Sequence, residues 1–315
     1  MNSLVLASLS LPNLVSRLPG GVAQGIIWGI MALGVYITFR LLDVADLTVD
    51  GSFTTGGAVT VMLIIAGWPA WAALLAAVVA GLLAGLVTGL LHTKLGIPAI
   101  LAGILTQFAL YSINLRIMSM KANTPVNPDK YSLFLTLRSV PGAIWKGLLL
   151  AAVLIALLYW YFGTEQGSAI RATGANPAMS RAQGINTSFN VVLGLAVSNG
   201  LVALSGALLS QYQGFADVSM GRGAIVIGLA AVIIGEALFS RIFHNFALKL
   251  VSVSLGAIIY YIVIQLVLTL GFDANLLKLL SASVVAVFLA VPYWKSKYFA
   301  KPAAKKAQKE DAKNA

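Results

Sequence analysis

The sequence predicts an all-α membrane protein, a polytopic helical bundle of about nine spans, within a range of about eight to ten. Three observations predict it. Hydrophobic residues make up 59% of the 315 residues and charged residues 10%, with a mean hydropathy of +0.90. A soluble core needs less apolar material than this and a soluble surface needs more charge. The apolar runs persist for roughly 20 residues, enough for a helix to cross a bilayer. Period-two alternation is absent, which argues against a transmembrane β-barrel.

Residues 1–20 read as an N-terminal lead-in at the membrane surface. The first positive charge is Arg17 and Pro12 interrupts the run, whereas a cleaved signal peptide needs a basic start. The transmembrane domain occupies residues 21–292. Spans are expected at Gly21–Phe39, Ala45–Ala66, Trp71–Leu91, Ile97–Ile117, Ile144–Phe162, Phe189–Tyr212, Gly223–Phe239, Leu248–Leu270 and Leu276–Val291. The second is irregular. Between Leu41 and Gly57 it carries Asp43, Asp46 and Asp50 together with Gly51, Gly56 and Gly57. Its first part is expected to be a broken or partly re-entrant helix, which membrane depth tolerates only under a cover of protein or a water-filled cavity. Asn123-Thr-Pro-Val-Asn-Pro128 interrupts the longest loop on the side opposite a polar segment at residues 163–188. In that segment Asn176 is expected to cap a short helix, with Pro177 in its first turn and Gly184 as its stop.

Residues 293–315 form a basic tail. Its seven lysines, from Lys295 to Lys313, place the C-terminus in the cytoplasm. Counting back puts Arg40, Lys94, the 163–188 segment and the stretch from Arg241 to Lys249 on the same side. Asn123–Pro128 then faces outward, and the odd number of spans puts the N-terminus outside. Arg116, Lys121 and Arg222 fall on or near the outer face, so the tail decides the orientation. The net charge of +11 is thus a topology signal and an attraction to anionic lipid, with no nucleic acid among the expected partners. There is no cysteine, which excludes disulfides, thiolate ligands and cysteine nucleophiles. His92 and His244 are the only imidazoles and no carboxylates cluster with them in sequence, so neither a metal site nor a catalytic constellation is expected.

A weak internal likeness links Gly96-Ile-Pro-Ala-Ile-Leu-Ala-Gly103 to Gly221-Arg-Gly-Ala-Ile-Val-Ile-Gly228. Both begin helices that would run in opposite directions, which fits an inverted repeat. The order of these elements resembles the permease subunits of bacterial ABC importers of the branched-chain amino acid and ribose class, over roughly residues 20–292. The likeness is most specific in Arg171-Ala-Thr-Gly-Ala-Asn-Pro-Ala-Met-Ser-Arg-Ala-Gln-Gly-Ile-Asn186, which resembles that family's cytoplasmic coupling segment. Asp46-Leu-Thr-Val-Asp-Gly-Ser-Phe53 and Gly235-Glu-Ala-Leu-Phe239 are similar to a branch often associated with aromatic amino acid uptake. The resemblance implies a multi-pass protein of the bacterial inner membrane, working as a homodimer or pseudo-dimer. It also implies a cytoplasmic ATP-binding-cassette subunit and an extracytoplasmic substrate-binding protein. ATP would sit on the partner ATPase, with no cofactor bound by this chain. The lack of a Gly-x-x-x-x-Gly-Lys-[Ser/Thr] loop fits that division.

On this reading Arg171, Gly174, Asn176, Pro177, Ala178, Arg181 and Gly184 couple the chain to the ATPase. The small residues permit close docking, and the two arginines meet carboxylates or helix C-termini. The substrate pathway is expected among the polar residues within the spans: Asp46, Asp50, Ser52, Gln107, Asn114 and Asn199. Asp50 either pairs with a substrate ammonium or caps the start of a helix. Gln107, Asn114, Ser198, Asn199 and Gln211 either contact substrate or bond helix to helix. Glu236 is expected to pair with Arg241 about one helical turn on. Tryptophans and tyrosines near the span ends, from Trp28 to Trp294, read as an aromatic belt. The expected function is inward movement of a small polar solute, an amino acid, by alternating access. An ion-coupled secondary transporter is the alternative; it needs a carboxylate relay, which the spans lack outside residues 43–50.

Overall fold

Helix packing in a computed structural model explains why the apolar runs differ in length. It describes residues 11–240, 242, 243 and 245–269, with scattered positions from 279 to 290. The helices are α1 (Leu11–Tyr36, continued by a π-helical turn at Ile37–Leu41), α2 (Val49–Ile65), α3 (Ala70–Thr93), α4 (Ala99–Ile117), α5 (Val140–Gly163), α6 (Glu165–Ala175), α7 (Pro177–Ala182), α8 (Thr187–Gln213), α9 (Ala224–Phe239) and α10 (Phe246–Thr269). Six helical stretches are long and apolar enough to cross a membrane, those containing α1, α3, α4, α5, α8 and α10. The chain is therefore a multi-pass helical protein. The expectation of about nine spans is met in part: among the described residues six helices are long enough to cross, and two expected spans are the shorter apolar helices α2 and α9, of 17 and 16 residues. The expected ninth span, Leu276–Val291, lies largely outside the described residues, and the basic tail lies wholly outside them.

α8 is the axis of the bundle, buried from Asn190 and continuously between Ser198 and Tyr212. Around it stand α1, α2 and α3. α3 meets it along a stripe of glycines at four-residue spacing. A methyl at Gly81 would strike the Asn199 backbone, at Gly85 the Leu195 backbone and at Gly89 the Val192 backbone. α2 and α8 use the device reciprocally, Gly56 against Ala203 and Gly206 against Phe53. In lipid no hydrophobic force drives helix to helix, so such close backbone approach supplies dispersion contact instead. Gly235 likewise seats α9 on Ser252 of α10.

The loops gather at two ends. At one, Leu41 touches Gly174, and Arg40 pairs with Glu236. At the other, a two-stranded antiparallel ribbon pairs β1 (Asn123–Pro125) with β2 (Phe215–Asp217), and the Tyr131 hydroxyl donates to Ile65 O at 3.4 Å. The two similar stretches, 96–103 and 221–228, do run into the starts of α4 and α9, but their surroundings differ. Gly103 packs on Leu47 and Thr48, Gly228 on Val35 and Met31, and no inverted repeat is assigned. Trp68, Trp71, Trp145 and Trp160 are exposed, as a belt requires. Trp28 is not of their number: it is buried and stacks on Phe53 at 4.8 Å between ring centroids.

Candidate functional site

The irregular stretch after α1 places the polar residues. The π-turn ends at Leu41, and residues 42–48 run without helical structure into the bundle. Asp43 there adopts a left-handed φ of 55°. By Asp46 the chain has reached Asn199, near the midpoint of α8, and only at Val49 does helix resume. α2 is short because it starts inside the bundle, where α3, α4 and α8 cover the non-helical backbone before it. α9 is short for the same reason: Gly221 abuts the Asp50 backbone, and α9 begins three residues later.

Asp50 joins these two internal helix starts. Its Oδ2 accepts from Gly223 N and its Oδ1 from Ile225 N, both at 2.9 Å. The carboxylate thus satisfies orphan N–H groups at the start of α9 and opposes the positive end of that helix. Asp50 is a cap, but of a helix far along the chain, which neither local reading anticipated. It also lines a cavity of about 440 Å³, together with Gln107, Asn114, Tyr111, Phe108 and Arg222. Asn114 is fully buried and its Nδ2 donates weakly to Gly51 O at 3.4 Å, while its Oδ1 has no partner. Flipping the amide would set oxygen against oxygen, so the unpaired atom is the acceptor. The Arg222 guanidinium stands 5.9 Å from the centre of the Tyr111 ring. Arg222 and Tyr111 were not among the residues the sequence singled out. An arginine beside a Gly-x-Gly turn reads as an ordinary loop charge until the fold brings α4 to it.

Asp46, Ser52 and Asn199 come together elsewhere, in a sealed network. The Ser52 hydroxyl donates to Asn199 Oδ1 at 2.6 Å, Asn199 Nδ2 donates to Asp46 Oδ2 at 2.7 Å, and Thr48 N donates to Asp46 Oδ1 at 2.9 Å. All three side chains are buried. A hydroxyl chain extends it, Thr48 to Thr88 at 2.7 Å and Thr88 to Thr106 at 2.9 Å. Of the six residues expected along a pathway, the fold therefore divides three into a lined cavity and three into this network.

The 163–188 segment contains more helix than its sequence signals. α6 precedes the expected short helix; Thr164 caps it, accepting from Gly167 N at 3.3 Å, and Thr164-Glu165 was the available signal. α7 begins as expected, with Asn176 Oδ1 accepting from Met179 N at 3.0 Å and Pro177 at its first position. Gly184 follows it at φ +80°. Asn176, Pro177, Ala178 and Arg181 are exposed. Gly174 is different: the site of its missing methyl is filled by Leu41 and Leu42 of this chain, so its smallness serves internal packing. Arg171 is half-buried, 5.5 Å from the Phe246 ring centre and bonded to Ser168 Oγ at 3.3 Å. Asn190 of α8 anchors α6, accepting from Gln166 Nε2 at 2.8 Å and donating to Thr173 Oγ1 at 3.2 Å.

Glu236 has a partner that the sequence did not suggest. Its Oε1 accepts from Arg40 Nε at 2.8 Å, tying the π-turn to the end of α9, while Arg241 lies outside the described residues. His92 Nδ1 lies 2.8 Å from Ile97 O, tethering the α3–α4 loop, and His244 is outside the described residues. Among the described residues no group of three or more His, Asp or Glu is placed to hold a metal.

Residues 18–292 match the family described as branched-chain amino acid transport system / permease component. The chain is 40% identical over 269 residues to the tyrosine transport system permease protein of Clostridioides difficile (strain R20291), covering 85% of this chain and 89% of that one. It is 34% identical over 271 residues to an uncharacterized protein of Rickettsia prowazekii (strain Madrid E), covering 85% and 94%. A nucleoside ABC transporter permease protein of Lactococcus lactis subsp. cremoris (strain MG1363) is 34% identical over 107 residues, 33% of this chain and 32% of that one. No solved structure matches.

Proposed function

The chain belongs to the branched-chain amino acid transport permease family, and from that premise we propose that it is the membrane subunit of an ATP-driven ABC importer of amino acids. Hydrolysis belongs to a separate cytoplasmic ATPase, and an extracytoplasmic binding protein delivers the solute. The observation that carries the reading is the projecting α7, whose exposed small residues sit on a root clamped to α8 and to the π-turn. A partner that displaces α7 moves α6, and through Gly174 it pushes on Leu41 and the non-helical stretch leading to Asp46. The 163–188 segment faces the cytoplasm, in keeping with the lysine-rich tail. A homodimer is part of the proposal, as the resemblance to importer permeases of this family implies. The solute is proposed to be an amino acid, aromatic by the similarity to the tyrosine permease over most of both chains. The segment of the nucleoside permease covers a third of the chain and favours this less.

Ala178→Trp tests the coupling. The side chain enlarges an exposed position, so the permease is expected to fold and insert normally while losing co-purification with the ATPase and solute-stimulated ATP hydrolysis. Wild-type hydrolysis in that variant sinks the coupling role of α7.

A further inference from the structure

We propose that the cavity between α2, α4 and the loop before α9 is the solute-binding station of the permease and takes the zwitterionic head of an amino acid. Arg222 would receive the carboxylate, and Asp50 and Asn114 the ammonium. The proposal rests on the permease reading and goes beyond it in assigning the site, its ligand chemistry and the residue for each charge.

Five features of the cavity converge. Its volume of about 440 Å³ lies in the range that encloses small ligands, about 300–1,000 Å³. It carries one group of each sign, Asp50 and Arg222, on walls from different elements, which is the arrangement a zwitterion requires. Asn114 Oδ1 is a fully buried acceptor with no donor, an arrangement that favours the arrival of a partner. An ammonium, with three N–H donors, supplies such a partner and still has one for Asp50. Asp50 is held by two backbone N–H groups, leaving further lone pairs on an oriented carboxylate. Finally, Phe108, Tyr111 and Val218 make an apolar side of the same space, suited to an aromatic or aliphatic side chain. A nucleoside would leave the opposed charges without ionic partners, a cost in a partly desolvated site.

Arg222 is the most informative position, since it is exposed and caps no helix. The experiment is ATP-dependent uptake by the complete transporter in proteoliposomes, with each of the twenty amino acids and uridine as probes. Competition with the preferred amino acid uses its decarboxylated amine and its deaminated acid. Wild type is expected to take up one or more amino acids and to be inhibited poorly by either truncated analogue. Arg222→Gln should lower apparent affinity for the amino acid at least about tenfold, the loss of one charge-assisted contact. Arg222→Lys should recover part of it. The decarboxylated amine should compete equally well against wild type and Arg222→Gln, because it lacks the group Arg222 holds. Asn114→Leu, of similar volume, should weaken both the amino acid and the amine; its folded yield on size exclusion separates binding from folding. Uptake of uridine and of no amino acid overturns the proposal, as does unchanged amino acid affinity in Arg222→Gln. Either result leaves the importer reading intact if Ala178→Trp still uncouples ATP hydrolysis; if that variant hydrolyses normally, the importer reading itself has failed.

Discussion

Asp46 and Asp50 stand four residues apart in one motif, and the fold uses them in opposite ways. Asp46 is 3% exposed and bonds Asn199 and Thr48, all within a network of buried groups. Asp50 is half-buried, caps a distant helix and borders a cavity with an arginine and an unpaired amide oxygen. A carboxylate inside a bundle must be paired, because an isolated charge in an apolar medium costs more than a fold can tolerate. Asp46 meets that demand with one backbone and one side-chain donor and lies buried away from the cavity, so a solute has no access to it. Asp50 meets it with backbone donors only, and keeps lone pairs to offer. The contrast teaches that intramembrane acidity alone does not mark a pathway; residual hydrogen-bonding capacity beside a cavity does.

Removing the sealed carboxylate should have the largest effect. Asp46→Ala leaves Thr48 N without its acceptor and Asn199 Nδ2 with Leu195 O alone, a loss of about 2–4 kcal/mol. Folded protein on fluorescence-detected size exclusion should fall, and uptake should fall only in proportion to it. Asp50→Asn, by contrast, keeps one of the two acceptors at the start of α9, so folded yield should fall less than in Asp46→Ala while uptake drops. The comparison breaks if Asp46→Ala yields normal amounts of folded but inactive protein, since the sealed network would then be part of the pathway.

A second pair of positions sharpens the same distinction at the far end of the segment. Gly174 and Ala178 look interchangeable in sequence, small residues four apart on a polar stretch. Gly174 is pressed on Leu41 and Leu42, whereas Ala178 is exposed. Gly174→Leu should therefore cost about 1–3 kcal/mol by overpacking and lower the melting temperature of the isolated permease. Ala178→Trp should leave that temperature unchanged. Equal melting temperatures for both would mean that α6 is not seated on the π-turn in the membrane.

How far these distinctions were legible follows from the range over which each is encoded. Local patterns were read directly: the long apolar runs, the Asn176-Pro177 start of α7, the irregular backbone before α2. The capping of α9 by Asp50 was not, since it joins residues about 170 positions apart and leaves no spacing signal. The shortness of α2 and α9 was hidden for a related reason. Hydropathy reports that a segment avoids water, and protein covering an unwound stretch serves as well as lipid. Helical spacing is the pairing rule a single sequence offers, and it points Glu236 to Arg241; the ion pair of Glu236 with Arg40, which arrives from another helix, leaves no such signal. Arg222 and Tyr111 were missed because neither residue type in isolation points to a cavity.

The smallest effect is expected where a carboxylate is wholly in water. Asp129 lies in the loop after β1, and its Oδ2 accepts from Arg138 Nη2 at 2.8 Å, with a second bond from Nη1 to Oδ1. The guanidinium holds the Asp129 carboxyl below its ordinary value. A folded-state value depressed in this way contributes stability above the unfolded value of about 3.9 and loses it as pH falls through the lower, folded value. Asp129→Asn should thus lower the melting temperature of the purified permease only slightly at neutral pH. The difference from wild type should persist to about pH 4 and vanish below it. It should also shrink in high salt, which screens exposed pairs. Bidentate geometry fixes the loop without burying either partner, so the effect must stay well under those of Asp46→Ala and Gly174→Leu. A shift as large as theirs, or one that persists in acid, would mean that the pair is shielded from water in the assembled protein, and the ordering from sealed to open to exposed would fail at its exposed end.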